Sequence, residues 1–166
     1  MAAFSIEYTM PKGALSTGRG STIVEEELRA ATAAGLQLVR NQIVPGTPRG
    51  VTSILAGGNQ TEIRGEGVDI LGRVFNPVLY AVAVEKGTVP HFPPYKQGSG
   101  LYRWVEKVMG IGGKETARVA FLVARKIGQH GTRARNFFRD GTQRARGPVL
   151  ARFSVARDRI VARWGA

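Results

Sequence analysis

Three prolines within five residues, Pro90, Pro93 and Pro94, constrain this chain more than any other feature, because they deny residues 90–94 both the helical hydrogen-bond pattern and a place in a central strand. The stretch just before them, residues 80–85, alternates Tyr80, Val82 and Val84 with Ala81, Ala83 and Glu85, which predicts a strand over about 79–85. Lys86, Gly87 and Thr88 then supply a turn. A strand running into an exposed, irregular loop is the expected arrangement, and the core must come from segments on either side.

Those segments carry clear periodicities. Phe4, Ile6, Tyr8 and Met10 alternate with polar residues as in a half-buried strand, closed by Pro11 and Gly13. Residues 22–44 read as a long helix. Thr22 and Glu25 stand at capping-box spacing, and Glu25, Glu26 and Glu27 occupy the first turn. Val24, Leu28, Ala31, Gly35, Leu38 and Gln42 form its stripe with Leu36, Val39 and Ile43 beside it, and Pro45 with Gly46 stops it. A β-prone run at 51–56 follows. Strand candidates at 61–64, 68–75 and 79–85 suit an antiparallel meander, with Gly72 marking a bulge or a close backbone approach. Beyond the prolines, 97–100 reads as flexible. Leu101, Trp104, Val105 and Val108 share one face of a short helix. A further helix over 114–129 places Ala117, Ala120, Phe121, Ala124 and Ile127 in a stripe. Thr132 can cap the segment holding Phe137 and Phe138. Gly147 and Pro148 restart the chain into a last helix over 149–164, with Val149, Phe153, Ala156, Ile160 and Trp164 on one side. The expected fold is α+β: an antiparallel β-meander packed on a long N-terminal helix, followed by C-terminal helices. The expected division is a domain over 1–141 and a basic helical extension over 142–166.

Charge is the main chemical signal. The 166 residues carry a formal +12, but residues 1–113 hold 11 Lys/Arg and 9 Asp/Glu, whereas residues 114–166 hold 13 and 3. The C-terminal third therefore carries the excess, and it can be a solvated face or a surface for phosphates or an acidic partner. The absence of cysteine removes disulfides and thiolate metal sites. No apolar run is long enough to span a membrane, and residues 1–10 lack the pattern of a signal peptide. His91 and His130 are the only histidines and neither has a carboxylate cluster nearby in sequence, so no metal or cofactor is expected. Residues 109–114, MGIGGK, lack phosphate-loop spacing. There is no G-x-S-x-G elbow, and no catalytic residue is predicted.

With these elements in order, Tyr80-Ala81, then Val84-Glu85-Lys86-Gly87-Thr88 and the proline loop, resemble the neck and tail-completion family of tailed bacteriophages, the head–tail joining or minor tail proteins, in which a YA…VE-x-GT signature ends the last long strand. Trp104 fits the following helix. Gly131-Thr132 with Phe137, Phe138 and Arg139 resembles the family's closing motif, although Asn136 stands where proline is common and the chain continues for about 25 residues beyond it. The resemblance covers roughly residues 21–141. It implies a non-enzymatic virion protein made in the host bacterial cytoplasm, forming a ring, usually a hexamer, at the head–tail interface. Its neighbours would be head-connector and tail-tube or tail-terminator proteins. It implies assembly contacts at Tyr80, Glu85, Gly87, Thr88, Pro90, Pro93, Pro94, Trp104, Gly131, Phe137 and Phe138. The basic residues Arg133, Arg135, Arg139, Arg144, Arg146, Arg152, Arg159 and Arg163 would then face acidic protein or passing DNA. The alternative from another class is a stand-alone nucleic-acid-binding protein using residues 114–166.

Overall fold

A computed structural model describes the backbone of residues 2–9 and 19–164 and the side chains of 22–163. Met10 and the Pro11–Gly13 stop fall outside the described residues, as does the side chain of Trp164. The fold is α+β, as expected, and its contacts divide it into two units.

The first unit comprises residues 1–46, 59–77 and 137–166. Its sheet has three antiparallel strands, β1 (Ala2–Thr9), β2 (Gln60–Glu66) and β3 (Asp69–Asn76), in the order β1-β3-β2. β2 and β3 form a hairpin, and β1 pairs along the whole of β3 from Ala2 opposite Asn76 to Thr9 opposite Asp69. The third strand of the expected meander is thus replaced by the N-terminal strand. On β3 the residues Ile70, Gly72, Val74 and Asn76 are buried in alternation. Pairing runs without interruption through Gly72 on both sides, which excludes a bulge there. A Cβ on Gly72 would come within 2.7 Å of the Thr32 methyl, so the glycine marks a close approach to helix α1 (Arg19–Ile43).

α1 begins at Arg19, a turn earlier than Thr22, so the capping-box pair lies inside the helix. Its buried face is Val24, Leu28, Ala31, Thr32, Gly35, Leu36, Val39 and Ile43, leaving Gln42 exposed and Leu38 half-buried. The stripe is therefore centred nearer Leu36 and Val39 than the sequence reading placed it. A 3-10 turn, Val44–Gly46, ends it at Pro45.

The other large element is α6 (Phe137–Trp164), which pairs lengthwise with α1. The sequence reading breaks the chain at Gly147–Pro148, yet the helix runs through both. Proline disfavours a helical residue before it chiefly by clashing with that residue's backbone N–H and Cβ, and Gly147 has no Cβ. Pro148 and Arg144 are both exposed, so the carbonyl that loses its helical donor can bond to water. Ala145, Val149, Ala156 and Ile160 are buried, and Ile160 joins Val24, Leu28 and Ile70 in one apolar cluster. The boundary drawn between residues 141 and 142 accordingly falls inside a helix.

The second unit comprises residues 47–58 and 78–136. The β-prone run at 51–56 is a turn followed by the single-turn helix α2 (Ile54–Gly57). Residues 81–86 are also helical, α3 (Ala81–Lys86), where a strand was expected. Two causes are evident. Both flanks of β3 are already occupied by β1 and β2, so residues 79–85 cannot pair with it as the next strand of a meander. Ala81, Ala83, Glu85 and Lys86 are good helix formers, and six residues of Val/Ala alternation do not discriminate between the two periods. Helix α4 (Gly100–Lys107) is capped by Ser99, whose Oγ accepts from the Tyr102 N–H at 3.2 Å. Helix α5 (Lys114–His130) buries Thr116, Ala120 and Ala124, so Ala117 and Phe121, expected inside, are exposed.

Candidate functional site: a glycine–threonine clasp

The dipeptide Gly-Thr occurs four times, at 46–47, 87–88, 131–132 and 141–142, and the fold pairs the second with the third in the second unit. Gly87 ends α3 and Gly131 ends α5. Thr88 N–H donates to the Thr132 carbonyl at 3.1 Å, and Thr132 N–H returns a bond to the Thr88 carbonyl at 3.2 Å. The two hydroxyls meet at 3.0 Å, and Thr88 Oγ1 also accepts from Thr132 N–H at 3.1 Å. The connection continues on one side, with Arg135 N–H on the Val84 carbonyl and Asn136 N–H on the Glu85 carbonyl, both at 3.0 Å.

Both glycines are required. Gly87 and Gly131 have φ of 76° and 68°, and a Cβ on either would collide with the carbonyl oxygen of the opposing threonine. Asn136 has φ of 52°. Proline, fixed near −65°, cannot adopt that value and has no N–H for Glu85, whereas asparagine tolerates it. Asn136 thus fills a position that proline could not occupy in this fold.

From the clasp the proline loop runs irregularly, as the three prolines require, and is laid along α5. Phe92 sits beside Gly128, and its ring centroid lies 5.7 Å from that of Tyr95 and 6.3 Å from that of Phe121, while Tyr95 and Phe121 are 5.3 Å apart. His91 N–H reaches the Ile127 carbonyl at 3.4 Å. An aromatic cluster seats the loop, so the prolines do not hold it off the helix. Large apolar side chains remain exposed in this stretch: Leu79 at 95%, Val89 at 80% and Tyr80 at 49%.

The other residues singled out in the sequence distribute differently. Trp104 is on the outer side of α4, where Val105 is the buried residue. Phe137 and Phe138 are buried at the start of α6 with ring centroids 5.1 Å apart, so they serve the core of the first unit rather than an exposed loop. Among the arginines, Arg163 donates to both Glu26 and Glu27 at 3.0 Å, and Arg159 lies 3.8 Å from Glu27. Arg144 donates to the Gln42 carbonyl at 3.0 Å, and Arg139 pairs with Asp140. These four are engaged within the chain. Arg133, Arg135, Arg146 and Arg152 are exposed and have no side-chain partner among the described residues. Hydrogen bonds donated to Glu26, then to Glu27, raise the Arg163 pKa above its already alkaline ordinary value.

Among the described residues no group of three or more His, Asp or Glu side chains is placed to hold a metal, and no helix is long and apolar enough to cross a membrane. No known family, curated protein or solved structure matches the chain. Sequence reasoning identified the members of the clasp separately and missed their pairing, which the repeat does not single out because Gly-Thr also occurs at 46–47 and 141–142.

Proposed function

We propose that this chain is a structural protein of a tailed-phage virion that closes with copies of itself, as a hexamer, into a ring at the head–tail interface. It would be bounded by head-connector and tail-tube or tail-terminator proteins. The observation that carries this reading is the clasp. The VE-x-GT and Gly-Thr motifs stand 44 residues apart from Thr88 to Thr132 and meet in one reciprocal backbone pair. Motifs assigned by the resemblance to one signature would be expected to work as one structural unit, and their pairing supports that reading.

The exposed Leu79, Tyr80 and Val89 support the same reading, since apolar side chains left beside a rigid junction suit a subunit contact. Head-to-tail contacts that close into a ring need a rigid presenting surface and no active site. Particles produced without this gene are expected to accumulate as filled heads and separate tails, and the purified chain to form closed rings under electron microscopy. Joined, infectious particles from the deletion strain overturn the proposal.

A further inference from the structure

The positive charge is unevenly shared between the two units. Residues 47–58 and 78–136 contain eleven Lys/Arg and three Glu, a net +8, whereas the rest of the chain holds thirteen Lys/Arg and nine Asp/Glu, a net +4. In the first unit much of the charge is answered internally, as at Arg163 with Glu26 and Glu27 and at Arg157 with Asp158. In the second unit three carboxylates cannot neutralise eleven cations.

Helix α5 gathers part of that excess into a row. Lys114, Arg118 and Arg125 fall within about 40° of one another around the axis and span about 16 Å along it. All three are exposed, and they lie on the far side of the helix from the buried Thr116 and Ala120. Arg118 has Glu115 at 3.8 Å, with both side chains mostly exposed, so this pair screens little of the row. The placement is unfavourable for the helix itself. Lys114 is its first residue, where the macrodipole disfavours a cation, and carboxylates there would keep the protein soluble at no such cost. Phe121 stands in the middle of the row, 41% exposed and in ring contact with Phe92 and Tyr95. An aromatic face set among cations suits a ligand that offers sugars or bases along with negative charge, which an acidic protein surface does not.

We propose that this face of α5 binds the phosphodiester backbone of nucleic acid without sequence preference, and that α5, not α6, is the phosphate-contacting helix of the protein. The inference does not rest on the virion reading. It is tested by binding of the full purified chain to mixed-sequence DNA, duplex and single-stranded, over a salt series. The variant K114Q/R118Q/R125Q is expected to reduce the slope of log K against log salt by about 2–3. Because the substituted side chains are exposed and Lys114 opposes the helix dipole, its melting temperature should be unchanged or higher. R146Q/R152Q, on α6, should leave the slope as it is, and polyglutamate should compete far less well than an equal charge of DNA. An unaltered slope in the α5 variant, an equal loss in the α6 variant, or polyglutamate competing charge for charge overturns the inference. Ring formation with DNA binding lost, or the reverse, separates this outcome from that of the assembly proposal.

Discussion

Gly131 cannot carry a side chain unless Thr88 moves, which makes the clasp the most sensitive point of the second unit. Gly131→Ala forces a left-handed alanine as well as a collision with the Thr88 carbonyl, and it is expected to cost about 2 kcal/mol or more in urea unfolding. Thr88→Val keeps the shape and removes only the hydroxyl, so a loss of about 1 kcal/mol is expected in the same assay. Equal losses from the two variants would show that the hydroxyl pair, not the backbone geometry, holds the junction. Sequence alone made these residues visible as turn formers, because glycine beside threonine after a helix former signals a stop. That the two stops are partners depends on where α5 returns the chain. At Arg163 the consequence concerns pH. Its pKa is raised by Glu26 and Glu27, so any stability from these contacts is complete below the ordinary arginine pKa and is lost only as pH rises through the raised one. Raising pH through the working range should therefore leave unfolding free energy unaffected by this residue, which a titration of R163Q against the parent chain would measure.

The helix pair α1 and α6 depends on two small residues that look alike in the sequence and differ in their surroundings. A Cβ on Gly141 would lie 2.7 Å from Ile43 Cγ1 and 2.9 Å from its Cα, whereas on Gly35 it would sit 3.4 Å from Val149 Cγ1. Gly141→Ala must push apart backbone near the fully buried Ile43, and a loss of about 1–3 kcal/mol is expected. Gly35→Ala makes ordinary contact and gains helix propensity, so a change between neutral and about +1 kcal/mol is expected. Thermal unfolding of the two variants checks the opposite signs. At this scale α1, α5 and the β2–β3 hairpin were legible, because their periods extend over enough residues to be unambiguous. Residues 79–85 were not, since a short Val/Ala alternation satisfies either period and the available sheet edges decide between them. Pro148 misled for a related reason: its effect depends on the residue before it and on which side of the helix faces water.

For the whole molecule, the basic C-terminal segment is part of the first unit's core rather than an appendage. Truncation after residue 141 would remove Val149, Ala156 and Ile160 and uncover Val24, Leu28 and Ile70. The shortened chain is expected to lose cooperative unfolding and to bind a hydrophobic dye, and a native-like, cooperative melt would refute this. The sequence by itself determined the α+β class, helices α1 and α5, the irregular proline loop and the total charge, because periodicity, backbone restriction and formal charge are local properties of the chain. Tertiary structure decided that β1 takes a place beside β3, that the Gly-Thr motifs at 87–88 and 131–132 clasp, and that the arginines of α6 are largely engaged while on α5 only Arg118 has a carboxylate partner, an exposed one, among the described residues. Each of these depends on which distant segment occupies a hydrogen-bonding edge or supplies a counter-charge, and such pairings are set by packing rather than by spacing along the chain.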